Sequence, residues 1–324
     1  LIDFKGFIMA QPTNTFDTYD SKALKEDISS VIYNIDPSEV PLLSSIAKTS
    51  ASNTLHQWQT DSLRSATAGN KNIEGDATTA EQRTSVARIH NFTQIFKNAV
   101  TISGTDQAVT NVGYGKQMAH EILKVAKEQK TDMESSLFAN LPFVAGNATT
   151  ARQLGGLTAY IKTNVTNIGA NGANPTGSIP GATARAPGGL SVFNQAKFDT
   201  NMQQIWTSGG TPDTVYLSSA NMQRALGFTG NNNERATAQN GKVTQLLSIY
   251  MTPWGSVTFT PSRFSASRDV FILQTNMLAL ASLRPMKNEP LSKQGDNITR
   301  QVLCEATLVV RNEKSLGLIA DCTA

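Results

Sequence analysis

In the stretch LHQWQTDSL, residues 55–63, His56, Trp58 and Asp61 fall within six positions. A carboxylate that orients an imidazole makes a general base, so this is the first place to look for catalysis. The stretch reads as extended, and alternate side chains of a strand point to opposite faces. His56, Trp58 and Thr60 therefore share one face, while Gln57, Gln59 and Asp61 share the other. The imidazole and the carboxylate diverge, and the spacing predicts a wall and not an active site. A tryptophan on such a face buries a large area once something covers it. That something is either a neighbouring subunit or this subunit's own core at the base of the element.

The remaining chemistry-bearing residues are as scattered. The other histidines are His90 and His120, and the two cysteines, Cys304 and Cys322, lie 18 positions apart. Zinc ligands come at close helical or CxxC spacing, so no metal site is expected. The sequence holds no G-x-S-x-G, P-loop or H-E-x-x-H pattern. Gly113–Gly115 and Gly155–Gly156 do not follow a strand as a dinucleotide loop must. The expectation is no catalytic residue, no cofactor and two reduced thiols.

Composition agrees with a surface that other subunits cover. Of 324 residues, 39% are hydrophobic and only 16% charged, against a usual quarter. The net charge of +3, from 28 basic and 25 acidic residues, comes without a basic block. It tolerates a nearby polyanion without demanding one. Nothing approaches the run of about 18 apolar residues that a membrane span needs. LIDFKGFI, before Met9, reads as an extension upstream of the natural start.

These residues sit on a recognisable series of elements. Residues 9–50 form an arm, with a short helix expected between Lys22 and Tyr33 and stopped by Pro37 and Pro41. LHQWQT and RTSVARIHNFTQIFKNAVTIS read as two long strands joined by a polar tip with Gly69 and Gly75, a long β-hairpin. Such a hairpin is marginal unless it lies against something. Ser103 and Asp106 resemble a capping box. After a break at Gly113 and Gly115, Met118, Ile122, Val125, Ala126, Met133 and Leu137 recur at helical spacing, predicting a helix of roughly 37 Å from Lys116 to about Asn140. Residues 169–190, rich in Gly, Ala, Pro and Asn, predict a flexible excursion that tolerates shortening. Beyond it an α/β alternation follows: helices at FNQAKFDTNMQQIW and SANMQRALGF, and strands at TVYLS, KVTQLLSIYM, SVTFT, DVFILQ and MLALASL. The final segment predicts a strand, a turn at Asn312–Lys314 and a second strand, as a terminal hairpin.

Four stretches carry a resemblance: IDPSEVPLLSSIAK (35–48), HQWQTDSL (56–63), GGLTAYI (155–161) and LSKQGDNITRQVLCEATLVVRNEKSLGLIADC (291–322). The most specific part is V-R-N-E-K at 310–314. Together with the element order they resemble the major capsid (head) proteins of tailed bacteriophages with the HK97-like fold, in a short-tailed-phage branch. The resemblance implies an α+β chain with an N-terminal arm (1–50), an extended E-loop (51–102), a peripheral domain with a spine helix (103–190), an axial domain (191–285) and a return to the peripheral domain (286–324). It implies a shell of hexamers and pentamers, made in the bacterial cytoplasm and found in the virion. Its partners would be neighbouring subunits, a portal protein, a separate scaffolding protein and, without sequence preference, double-stranded DNA. Candidate intersubunit contacts are His56, Trp58, Asp61, Arg64, Glu128, Arg311, Glu313 and Lys314. The alternative is a cytosolic enzyme built on the α/β domain at 191–285.

Overall fold

A computed structural model describes residues 39–77, 80, 83, 85–109, 116–167, 169–228, 236–237, 243–244 and 249–323. The helix expected at Lys22–Tyr33 and the break at Gly113 and Gly115 lie outside the described residues.

The chain enters through α1 (Pro41–Ser45), with proline at the first helical positions where no donor is missed. It continues into β1 (Ala47–Ser50) and β2 (Leu55–Thr60). β3 (Ala87–Phe92) returns antiparallel to β2, from Leu55↔Phe92 to Thr60↔Ala87. The expected long second strand is divided at Thr93. Beyond that residue β4 (Gln94–Ser103) leaves the hairpin and joins a different sheet. Thr93 is fully buried and donates its hydroxyl to Glu305 at 2.7 Å, which fixes the division.

Ser103 then caps α2 (Gly104–Ala108), its hydroxyl accepting from the Asp106 N–H at 3.2 Å. The long helix α3 (Gln117–Phe138) follows within two residues of its expected ends. Met118, Val125, Met133 and Leu137 face the core, as periodicity requires. Gln129 and Glu134 are buried in the same stripe, which hydrophobic spacing alone does not foretell.

The rest of the chain comprises α4 (Leu157–Tyr160), β5 (Val165–Asn167), α5 (Gln195–Thr207), β6 (Thr214–Leu217), α6 (Ser219–Leu226), a two-residue pairing of β7 (Ala236–Thr237) with β8 (Val243–Thr244), then β9 (Ile249–Thr252), β10 (Gly255–Pro261), β11 (Asp269–Leu273), β12 (Leu278–Pro290), β13 (Asn297–Val310) and β14 (Gly317–Ala320). Two larger sheets result, a four-stranded one ordered β1-β12-β13-β4 and a six-stranded one ordered β5-β14-β11-β6-β10-β9.

The six-stranded sheet is covered on both faces. Along β11, Phe271 and Leu273 belong to one core cluster and Val270 and Ile272 to another. The same alternation divides Leu318 and Ala320 from Ile319 on β14. The first cluster joins both sheets to α1 and α3 through Leu42, Phe138 and Leu308. The second packs α5 against the far face through Phe198 and Met202.

Two expectations are corrected here. β13 and β14 form no terminal hairpin. A strand has two edges, and those of β13 are taken by β12 and β4, so β14 crosses to pair with β11 and β5. Residues 317–320 thus lie in the same sheet as strands from 191–285. Residues 169–190, expected to be a flexible excursion, are tied down along their length. Phe143 N–H donates to Gly181 O at 2.8 Å, Asn140 Nδ2 to Arg185 O at 2.7 Å, and Gly188 N–H to Asp321 at 2.9 Å. Arg185 in this segment is buried and ion-paired with Asp321. The segment is held by polar bonds, which its apolar-poor composition does not reveal.

Candidate functional site

The hairpin of β2 and β3 is anchored at its base and unsupported beyond it. On β3, Asn91 is fully buried. Its Nδ2 donates to Leu308 O at 2.9 Å and Gly155 O at 3.3 Å, and its Oδ1 accepts from Gly155 N–H at 2.9 Å. One side chain thus joins the hairpin to β13 and to the loop before α4. His90 stacks near Phe143 with ring centroids 4.9 Å apart. Tyr160 donates its hydroxyl to His90 O at 2.8 Å.

Trp58 is half-buried on its own subunit's core, 6.1 Å from the His56 ring and 6.3 Å from that of Tyr160. Its indole N–H is buried without a hydrogen-bond partner. Within the subunit the ring rests beside Tyr160, and part of it stays accessible. Desolvation lowers the His56 pKa, so the imidazole is neutral near pH 7. Asp61 is exposed and accepts from Ser62 N–H at 2.8 Å. No hydrogen bond joins it to His56, so the pair forms no general base.

Every described residue from 61 to 86 is exposed. Leu63 is 95% and Ile73 80% accessible, so neither side chain is buried among the described residues. Arg64 folds back locally, donating to Ser65 O at 3.2 Å and Thr67 Oγ1 at 3.0 Å.

Ion clusters around two buried carboxylates brace the frame that carries this element. Glu305 on β13 binds Arg152 at 2.5 Å, Arg284 at 2.9 Å and Thr93 at 2.7 Å. Burial opposes its ionisation, but the bonds from Thr93 and Arg284 and the charge of Arg152 outweigh it and hold its pKa below the usual range. Asp321 likewise faces Arg185 and Arg268, the latter at 2.8 Å. Burial again opposes the charge, and the bonds from Arg185, Gly188 and Arg268 prevail. Asp269, beside this cluster, is raised to about 6, first by burial and then by Asp321, against the pull of Arg185 and Arg268.

The V-R-N-E-K residues divide between surface and interior. Arg311 is exposed and donates to Asn276 O at 3.1 Å. Lys314 is exposed, its backbone carbonyl accepting from Asn164 Nδ2 at 2.7 Å. Glu313 is buried, and its carboxylate accepts from Lys162 N–H, Thr163 N–H and the Thr163 hydroxyl. It fastens the turn between the two sheets, so within the subunit its acceptors are already engaged. Glu128 is exposed on α3. The structurally decisive carboxylates Glu134, Glu305 and Asp321 were missed by sequence reasoning. Their one signal is a charge set in a run of otherwise buried residues, as in LCEATLVV.

Neither cysteine is poised for chemistry, since burial raises both thiols, Cys322 to about 12. Among the described residues no group of three or more His, Cys, Asp or Glu could hold a metal. No helix among them is long and apolar enough to cross a membrane. What the geometry offers is a rigid frame and a projecting element with exposed apolar side chains. This is an arrangement for contact.

Solved structures with the same architecture define the class. The chain superposes on a capsid subunit of Cyanophage A-1(L) with a TM-score of 0.66 at 13% identity, covering 95% of this chain and 99% of that one. Against a chain of Microbacterium phage Oxtober96 the TM-score is 0.63 at 11% identity, covering 95% and 99%. A capsid chain of a native GTA particle gives 0.61 at 10% identity, covering 94% and 98%. The fold is that of HK97-like phage capsid proteins. Residues 11–323 match the SU10 major capsid protein family, and the chain belongs to it. It is 25% identical over 345 residues to the major capsid protein of Escherichia phage Phieco32, covering 96% of this chain and 97% of that one. The protein is a structural subunit of a phage capsid shell.

Proposed function

We propose that copies of this chain, as hexamers and pentamers, tile a closed icosahedral head around double-stranded phage DNA. In this reading residues 51–102 act as the E-loop and residues 1–50 as an arm engaging adjacent subunits. Residues 103–190, with the spine helix α3, and residues 286–324 form the peripheral domain, and residues 191–285 the axial domain. Assembly takes place in the host cytoplasm around a portal, with a separate scaffolding protein. DNA is held without sequence preference, through phosphate electrostatics.

The observation that carries the reading is the projecting segment 61–86, whose apolar Leu63 and Ile73 are 95% and 80% exposed. Apolar side chains held in water are favourable only when a partner removes them from it. Asp61 and Arg64 lie on this segment and Glu128 lies on the outer face of α3, where they can serve as rim contacts. His56 and Trp58 would support the segment from its base. The enzyme alternative gains nothing from the site, which joins no nucleophile, base or metal cluster among the described residues.

Electron microscopy of the purified protein tests the proposal, comparing the full chain with a variant in which residues 62–85 are replaced by a short Gly/Ser turn. Closed particles from the full chain, and folded but unassembled subunits from the variant, are expected. Particles of normal yield from the variant would remove the segment from the assembly contact.

A further inference from the structure

α6 begins without a side-chain cap: Ser218 occupies the N-cap position in an extended conformation, yet its hydroxyl accepts nothing from the first turn. The N–H groups of a first turn carry partial positive charge and need acceptors. Beside this helix end lies a cavity of about 740 Å³, walled by Ser218, by the loop 261–267 that follows β10, and by Glu39 and Pro41 of the arm.

A helix end alone would say little, but the wall adds an independent observation. Ser218 and Ser265 are each only 7% exposed. Both hydroxyls are buried without a hydrogen-bond partner. A buried hydroxyl left unpaired forfeits about 1–3 kcal/mol, and two at one wall mark a place where acceptor or donor atoms are missing. Arg263, on the same loop and exposed, makes no ion pair or side-chain hydrogen bond among the described residues. Arg263, the two serines and the first residue of α6 line one cavity. That is a donor set for a tetrahedral oxyanion.

We propose that this cavity binds a phosphate group. Its volume exceeds what a lone oxyanion fills, so the esterified remainder of a larger molecule has room. Glu39 at the rim is the opposing charge and sets the affinity below what Arg263 and the helix would give alone. The phosphate comes either from a nucleic-acid backbone or from a small phosphate in solution, and the chemistry of recognition is shared.

The experiment follows melting of the full chain in sodium phosphate against sodium chloride at matched ionic strength, and measures affinity calorimetrically. It is repeated with a short DNA duplex as the probe. Arg263→Ala and Glu39→Gln are compared with the unaltered protein, and both side chains are exposed. Phosphate should raise the melting temperature specifically. Arg263→Ala should weaken binding about tenfold, the effect of one charge-assisted bond, and Glu39→Gln should strengthen it. A purely structural role for these residues predicts no such opposite pair of effects. If the duplex competes with phosphate and responds to both variants in the same way, the source is nucleic acid; if phosphate alone does so, the source is a small phosphate. Absence of a phosphate-specific shift, or a shift that Arg263→Ala leaves unchanged, overturns the proposal.

Discussion

Glu134 of α3 caps α1 in place of any residue of that helix: its carboxylate accepts from Leu42 N–H at 2.9 Å and from Leu43 N–H at 2.7 Å. The two amides lie in the first turn of α1, where intrahelical acceptors do not exist. Leu42 is fully buried alongside. The junction of α1 with α3 therefore rests on one buried carboxylate.

Glu134→Ala should destabilise the unassembled subunit by about 2–4 kcal/mol, because two buried donors lose their acceptor and a void remains. Glu134→Gln keeps one acceptor oxygen and should cost roughly half as much. Urea unfolding of both variants checks this. Equal stability of Glu134→Ala and the unaltered protein would show that the cap carries no load.

Asp269 predicts how stability moves with pH. Its folded-state pKa of about 6 stands above the ordinary aspartate value of 3.8, so the native state binds the proton more tightly than the unfolded chain. This group's contribution is fully present below the ordinary carboxylate range and is lost as pH rises through about 6. Asp269→Asn should remove that dependence and be more stable than the unaltered subunit at pH 8, by on the order of 2–3 kcal/mol. Parallel denaturation curves at pH 5 and pH 8 measure it. An unchanged pH slope in the variant would refute the assignment.

Trp58 packs on Tyr160 and on its own core, so Trp58→Ala should cost the isolated subunit about 2–3 kcal/mol, somewhat less than a fully buried ring. Trp58→Phe keeps a six-membered aromatic ring, loses the fused pyrrole ring with its unpartnered N–H, and should cost less than Trp58→Ala. If Trp58→Ala subunits melt normally while particles grow scarce, the ring serves a neighbour instead.

The segment 169–190 should not tolerate shortening, contrary to what its composition suggests. Arg185→Ala leaves Asp321 with a lost partner in a buried site and should cost about 3–5 kcal/mol. Replacing the whole segment by a few Gly/Ser residues should abolish soluble subunit. Assembly by such a variant would restore the view of a dispensable loop.

Much of the frame was legible because it rests on periodicity. The stripe from Met118 to Leu137 gave α3 to within two residues, and the β-branched runs at 214–217, 255–261 and 269–273 gave strands. Pairing was legible only where a turn joined neighbours, as for β2 with β3. The partners of β13 come from β4, about 200 positions earlier, and from β12, and no local pattern reports which edges are taken. The polar anchors were hidden for a related reason. Arg185 finds Asp321 across 136 positions, and Glu134 finds Leu42 across 92. A charge within an apolar run shows that a partner is needed without saying where it is.

The central place of β13 bears on synthesis. β4 leaves the ribosome early and β12 late, yet neither adjoins the other in the four-stranded sheet without the strand that starts at Asn297. Pairings across such sequence distance form slowly and only once all strands are present. A chain interrupted before residue 310 therefore displays the exposed segment at 61–86 with no frame to hold it, and should fall to proteases before it can join a shell. Competence to assemble waits, by this strand order, on the strand that ends at Val310.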